Sequence, residues 1–343
     1  MGKQTSEHSI TSTQYAESLL PRILILGVGS LGCYLVAKTQ QQLGAADPAY
    51  AQLSFALCHH KAALLQDKAN TRTFLLSKRT HTKSDLVKSN IPLRDHLAGN
   101  GPDSDIDALA KLIQDHDLVL LCGALGGDSG EILAEISLLA NKQQQEPLNQ
   151  QALLAFVVSP FNFEGGARQQ RARATVQQLE TSCNGLLELP NDLLREALGG
   201  QTRLEQALDA SNAFLEKMLK QLLHIMAKPS LINLDLRDLL ALLQQPGRIA
   251  INWQTLDLDQ PLVSQLTLLL KHPLLAKTAT DTAQAAMLHL EVPENFALEQ
   301  FEFLHKHLQA QLPDNTLMLS GLRITPGIKQ AELTLLLTGI QPA

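Results

Sequence analysis

The sequence predicts an α/β protein, a doubly wound and mostly parallel sheet with one long helix running through the molecule. Two observations carry this. An apolar strand runs into a glycine turn and then a helix twice, first at RILIL-GVGSLG-CYLVAK from Arg22 and again at DLVLLC-GALGGDSGE-ILAEISLLA from Asp117. That unit builds parallel sheets, whose ligands sit at the carboxyl ends of the strands. The second observation is Leu204–Ala227, where Leu208, Leu215, Leu219, Leu222 and Met226 keep a helical period and Phe214, Met218 and Ile225 widen the stripe. A helix apolar on more than one side is buried. At 1.5 Å per residue its 24 residues span roughly 36 Å, the width of a domain. Pro229 and the acidic loop NLDLRD, Asn233–Asp238, come directly after it. An axle between two domains is expected, with a bundle helix carrying a polar cap as the plainer alternative.

Composition narrows the classes. The chain has 343 residues, 45% hydrophobic and 18% charged, enough for two domains of an ordinary globular protein. A net charge of −6 argues against a nucleic-acid groove. No apolar run reaches the length of a membrane span. Cys33, Cys58, Cys122 and Cys183 have no paired spacing and read as reduced core thiols of a cytoplasmic protein. His59-His60 and His305-x-His307 lack neighbouring ligands, so no metal site is expected. Residues 1–21 are polar, without the apolar stretch of a secretory signal. They read as a disordered arm, although MGKQTS fits the short pattern for N-myristoylation.

In chain order, Arg22–Leu26 is the first strand, and Gly27, Gly29 and Gly32 have G-x-G-x-x-G spacing before a helix. Such glycines let backbone N–H groups and a helix N-terminus face a phosphate; a tight βα turn without ligand is the other reading. Leu53–Leu57 is a second strand, Thr71–Asn100 a polar, loop-rich excursion, Asp105–Gln114 a helix and Asp117–Cys122 a buried strand. The second turn carries Gly126, Gly127, Ser129 and Gly130, and the Gln-rich Asn141–Gln151 reads as a solvated insert. No G-x-x-x-x-G-K-[ST] occurs, which excludes a Walker-type loop. The strand Leu153–Val158 ends at Pro160, with Asn162, Glu164 and Arg168 at the same sheet edge. The strand Leu186–Leu189 ends at Pro190-Asn191-Asp192.

PFNFEG (Pro160–Gly165) with Arg168, PND (Pro190–Asp192), the core helix and NLDLRD succeed one another in a register that resembles the FtsZ/tubulin superfamily, and FtsZ in particular. The resemblance extends through HPLL (His272–Leu275), Ala285–Glu291, Leu298–Gln311 and the last two strands. It covers nearly all of Arg22–Ile340. It implies the tubulin/FtsZ fold: a nucleotide-binding domain at 22–203, the core helix at 204–227, and a smaller mixed α/β domain at 228–343. It also implies GTP or GDP with Mg2+, a head-to-tail homopolymer, and hydrolysis across the subunit interface, with Asp235 and Asp238 positioning the attacking water. Glu164, Arg168, Asn191 and Asn212 match family residues near ribose, phosphate and base.

The departures are specific. Asp128 and Ser129 stand where FtsZ has a GGGTGTG run, and an acid beside phosphates is repulsive unless a cation intervenes. Cys58-His59-His60 replaces N-T-D, Tyr34 replaces an asparagine, and Ser30, Leu31 and Cys33 replace glycines. Leu208 and Ala213 stand where FtsZ stacks guanine on phenylalanine and clamps it with aspartate. The nucleotide is therefore expected to be weakly held or lost. Three readings stay open: a filament protein with slow GTP hydrolysis, a scaffold of the same fold with a decayed site, and a Rossmann-type oxidoreductase or adenylating enzyme. The last lacks the acid expected after the second strand. The chain stops three residues after Ile340, so docking through a C-terminal peptide is not expected, and protein partners of unknown identity are.

Overall fold

The computed structural model describes residues 21–43, 52–65, 71–76, 102–144, 151–199, 202–227, 231–232, 234, 236–243, 247–271 and 277–341. One ten-stranded sheet runs through them, in the order β3 (Thr71–Leu75), β2 (Leu53–His59), β1 (Ile23–Val28), β4 (Leu118–Ala124), β5 (Ala152–Ser159), β6 (Gly185–Pro190), β7 (Arg248–Leu256), β10 (Ala331–Ile340), β8 (Ala285–Val292) and β9 (Leu317–Ile324). Strands β3 to β7 are parallel, β10 is antiparallel to β7 and β8, and β8 is parallel to β9. The parallel and mixed parts join at one pair, Leu186 with Arg248. Arg248 strengthens that seam, donating from Nε to Glu180 at 2.8 Å and pairing through Nη1 with Glu188 at 3.0 Å.

Layering arises from the runs ILILGV and ALLAFVVS, buried on both faces as parallel strands between helices must be. Alternate residues feed opposite layers. Ile23, Ile25, Leu118, Leu120, Leu154 and Phe156 pack beneath α1 (Gly29–Leu43) and the core helix α6 (Leu204–Ala227). Leu24, Leu26, Val119, Leu121 and Leu153 meet α2 (Pro102–Gln114), α3 (Asp128–Gln144) and α4 (Gly166–Ser182). The helix α5 (Asn191–Leu198) leads to the core helix. Leu215, Leu219, Leu222 and Met226 of the core helix share one cluster with Ile25 and Leu120 on one side and Ile251, Met287 and Leu336 on the other. After it come α7 (Leu236–Leu242), α8 (Leu262–Leu270), α9 (Lys277–Thr282) and α10 (Leu298–Gln309), of which α8 and α10 cover the third apolar cluster.

The far end of the core helix is fixed by a charged joint. His224 Nε2 lies 2.9 Å from Glu291 Oε2, Thr325 Oγ1 donates to Glu291 Oε1 at 2.6 Å, and Arg323 Nη2 donates to the His224 carbonyl at 3.0 Å. The bond from His224 is the largest influence holding the Glu291 carboxyl down, to about 2. Burial, then the Arg323 charge, lowers the nearby His289 imidazole to about 3.

Several expectations change. Leu236, Arg237 and Asp238, read as part of an acidic loop, open α7, and Leu208, read into the buried stripe, is exposed. Thr71–Leu75 is an edge strand rather than loop; only Phe74 of the five is buried, so its alternation leaves no sequence signal. The insert from Asn141 is not solvated throughout. Helix α3 continues to Gln144, and Gln151 is buried because its Nε2 donates to the carbonyls of Ile113 (2.5 Å) and His116 (2.7 Å). Residues 1–20 of the 21-residue N-terminal arm, HPLL, Asn233 and Asp235 lie outside the described residues.

Candidate nucleotide site

Adjacent parallel strands end together, so the turns at their carboxyl ends share one edge of the sheet. The register of β1 on β4 pairs Gly27 with Cys122 and Val28 with Gly123, and the turns at Gly29 and Gly126–Gly130 open side by side. Their contact is tight. A Cβ on Gly29, whose φ is +72°, would lie 2.6 Å from the Ser129 Cβ. Gly27 and Gly32 seat the helix: a Cβ on Gly27 would meet the Gly32 carbonyl at 2.3 Å, and one on Gly32 the Cys122 carbonyl at 2.3 Å. Glycine at these positions lets α1 press on β1 and β4, which delivers its N-terminus to the edge where α3 also begins. Two helix N-termini converge there, an arrangement that favours an anion.

Charge around the second turn is balanced within the chain. Arg171 Nη1 lies 3.9 Å from Asp128 Oδ1, and Arg168 Nη2 lies 4.0 Å from the Cβ position of Gly127. Arg168 is paired with the Glu164 carboxylate, which also accepts from the Phe161 N–H at 2.8 Å. Glu164 therefore braces the PFNFEG loop and its arginine together. The Asn162 N–H donates to Asp192 Oδ2 at 2.9 Å, which ties that loop to the PND turn. Asn191 is buried and accepts from Ser211 Oγ of the core helix at 3.0 Å. Asn212, next to Ser211, is half-buried, while Leu208 and Ala213 are exposed.

Beside them, Tyr34 of α1 lies near Glu216, and the carboxylate is the largest cause of its rise to about 12. Gln42 Nε2 donates to the same carboxylate at 2.8 Å. Ser30, the second residue of α1, has its Oγ 3.1 Å from His59 Nε2 at the end of β2. Reading by motif named Ser30, His59 and Tyr34 only as replacements in the family's turns, without their contacts, and missed Arg171. The β1–β2 register, Val28 with Cys58, brings Ser30 and His59 together, and Arg171 lies one helical turn beyond Arg168.

Asp238 stands apart from this edge. It is half-buried on α7, whose Leu242 and its neighbour Leu243 pack at the amino end of the parallel strands, with Leu243 Cδ2 3.1 Å from the Cβ position of Gly185. From Ser211 to Ala227 the core helix covers roughly 24 Å, so the two ends of the molecule are well separated. Among the described residues no group of His, Cys, Asp and Glu has metal-binding geometry, and no helix is long and apolar enough to cross a membrane.

No family model matches the chain. It is 24% identical over 329 residues to the cell division protein FtsZ 1 of Archaeoglobus fulgidus, covering 96% of this chain and 84% of that protein. FtsZ of Wigglesworthia glossinidia brevipalpis is 24% identical over 250 residues, 70% of this chain but 62% of that protein. An empty FtsZ dimer from M. jannaschii superposes with a TM-score of 0.74 at 21% identity, covering 96% of this chain and 91% of that one. The chain is similar to FtsZ along nearly its whole length at 21–24% identity and shares its fold. The fold extends to more distant members, including a GTPγS-bound protofilament of CetZ2 from Haloferax volcanii, with a TM-score of 0.67, 14% identity and 94% coverage of both chains.

Proposed function

We propose that this FtsZ-like protein binds a guanine nucleotide weakly at the joined glycine turns and assembles head to tail as a cytoskeletal filament, with at most slow GTP hydrolysis. The observation that carries the reading is the contact between the two turns, where Gly29 leaves no room for a Cβ against Ser129. Two helix N-termini and Arg168 surround it, and they suit a phosphate chain. Gly27, Gly29, Gly32, Gly126, Gly127, Ser129 and Gly130 form the cradle in this reading, Mg2+ would share the phosphate charge, and Asn191 and Asn212 lie on the base side. Family members with GTPγS bound as a protofilament support both the ligand and the assembly.

Weak, poorly selective binding is read from Leu208 and Ala213. With alanine in place of a carboxylate, guanine loses charge-assisted hydrogen bonds of about 1.5–3 kcal/mol each. Asp238 is at the opposite end from the turns, and a carboxylate orients water only within hydrogen-bond reach. Hydrolysis then requires Asp235 and Asp238 of a neighbouring subunit. The test is GTP turnover against protein concentration, in wild type and in Asp238→Ala mixed with Gly29→Ala. Specific activity should rise with concentration, and the mixture should regain part of what each variant lacks. Turnover strictly proportional to enzyme and unaffected by Asp238→Ala would exclude the shared site. The second reading, a scaffold that needs no nucleotide, is favoured by Glu216, which is engaged by Gln42 and lies near Tyr34 beside the base side of the cleft. It wins if filaments form with no nucleotide and no turnover is found.

A further inference from the structure

The histidine pair after β2 has a defined hydrogen-bond polarity. The Lys61 backbone N–H donates to His59 Nδ1 at 2.8 Å. Nδ1 must therefore carry a lone pair, and the proton of the neutral ring is on Nε2. Nε2 faces Ser30 Oγ at 3.1 Å, so the imidazole donates and the hydroxyl accepts. The ring is buried, and the exposed His60 stacks on it with centroids 4.4 Å apart. Desolvation, then the charges of His60 and Lys61, keeps it below its ordinary pKa and hence neutral at physiological pH. With one of its two lone pairs engaged by the His59 N–H, the exposed Ser30 hydroxyl keeps its own proton free to donate to a group other than the ring. The same polarity excludes a nucleophile–base dyad, because the nitrogen facing Ser30 has no lone pair to receive a proton.

We infer that His59 is a positioning residue whose Nε2–H fixes Ser30 as a hydrogen-bond donor to the phosphate chain bound at the glycine turns. This rests on the nucleotide reading above and assigns to that site a donor pair made of side chains, beside the backbone N–H groups. A hydrogen bond to a charged group is worth about tenfold to a hundredfold in affinity.

The test measures GTP, GDP and inorganic pyrophosphate binding by calorimetry on the full chain, with the His59 tautomer read by nitrogen-15 NMR. Ser30→Ala should weaken all three ligands by about tenfold or more. His59→Leu should do the same, and the double variant should be no weaker than Ser30→Ala alone. His59→Gln, whose amide can still donate to Ser30, should keep most of the affinity, which a purely structural role for the ring would not allow. NMR should show the proton on Nε2. Wild type that binds, with Ser30→Ala binding within about twofold of it, overturns this inference and leaves the nucleotide reading standing. So does a proton found on Nδ1. Wild type that binds none of the three ligands overturns the nucleotide reading, and the inference with it. Should His59→Leu fail to fold, Ser30→Ala, His59→Gln and the tautomer decide.

Discussion

Replacing Gly32 by alanine forces open a close crossing of helix and sheet. The new Cβ would sit 2.3 Å from the Cys122 carbonyl oxygen and 2.8 Å from the Gly27 carbonyl carbon, both backbone atoms that cannot swing away. Restoring ordinary contact moves α1 off β1 and β4 by about 1 Å. Overpacking of this kind costs about 1–3 kcal/mol, and rigid neighbours put this site at the upper end. Alanine returns about 1 kcal/mol of helix propensity, which leaves a net loss of about 2 kcal/mol. At about 2–4 °C per kcal/mol for a domain of this size, the melting temperature should fall by about 4–8 °C. Gly166→Ala is the control: it opens α4, and nothing lies within 4 Å of its Cβ position. It should be neutral or raise the melting temperature slightly, because the unfolded chain loses freedom. Thermal unfolding tracked by circular dichroism reads both. If Gly32→Ala melts with wild type, or Gly166→Ala falls as far, the close seating of α1 is refuted.

Other consequences are as direct. Ala213→Asp should raise the preference for GTP over ATP by about tenfold or more if the base side of the cleft is otherwise intact; competition binding reads it, and an unchanged ratio places the base elsewhere. Stability should decline on acidification in two overlapping stages. His289, lowered to about 3, leaves the unfolded chain binding the extra proton as pH falls below about 6.5. Glu291, lowered to about 2, contributes stability above its unfolded value that is lost between about 4.5 and 2. Denaturant midpoints measured from pH 7 to 3 should fall throughout, and Glu291→Gln should flatten the lower part of that limb; an unchanged limb would show that the His224–Glu291 joint does not carry it. Asp238→Ala should abolish turnover without weakening nucleotide binding, and a parallel loss of both would place Asp238 at its own subunit's site.

The fold was legible where burial repeats at a fixed period. Leu215 to Met226 mark the core helix, and the apolar runs before each glycine turn mark β1 and β4, because strands buried on both faces need no alternation. β3 was not legible, since an edge strand with only Phe74 buried carries no period. Gln151 read as surface because composition cannot show that two helix-end carbonyls wait for its amide. At the site, the glycines announced the turns, but not that the turns touch or that Arg171 faces Asp128. Those facts depend on strand order. The Ser30–His59 pair was hidden for the same reason: the residues are 29 apart in sequence and meet only because β1 and β2 are parallel neighbours in register.

The claim on which the rest depends is that the joined glycine turns hold a guanine nucleotide with little base selectivity. Calorimetric titration of GTP, GDP and ATP into the wild-type chain and Gly29→Ala measures it directly. GTP and GDP should bind in the micromolar range or more weakly, with ATP within about tenfold of them, and Gly29→Ala should lose all three. Submicromolar GTP binding with strong rejection of ATP would contradict the relaxed base pocket, and no binding of any nucleotide by the wild type would contradict the site itself.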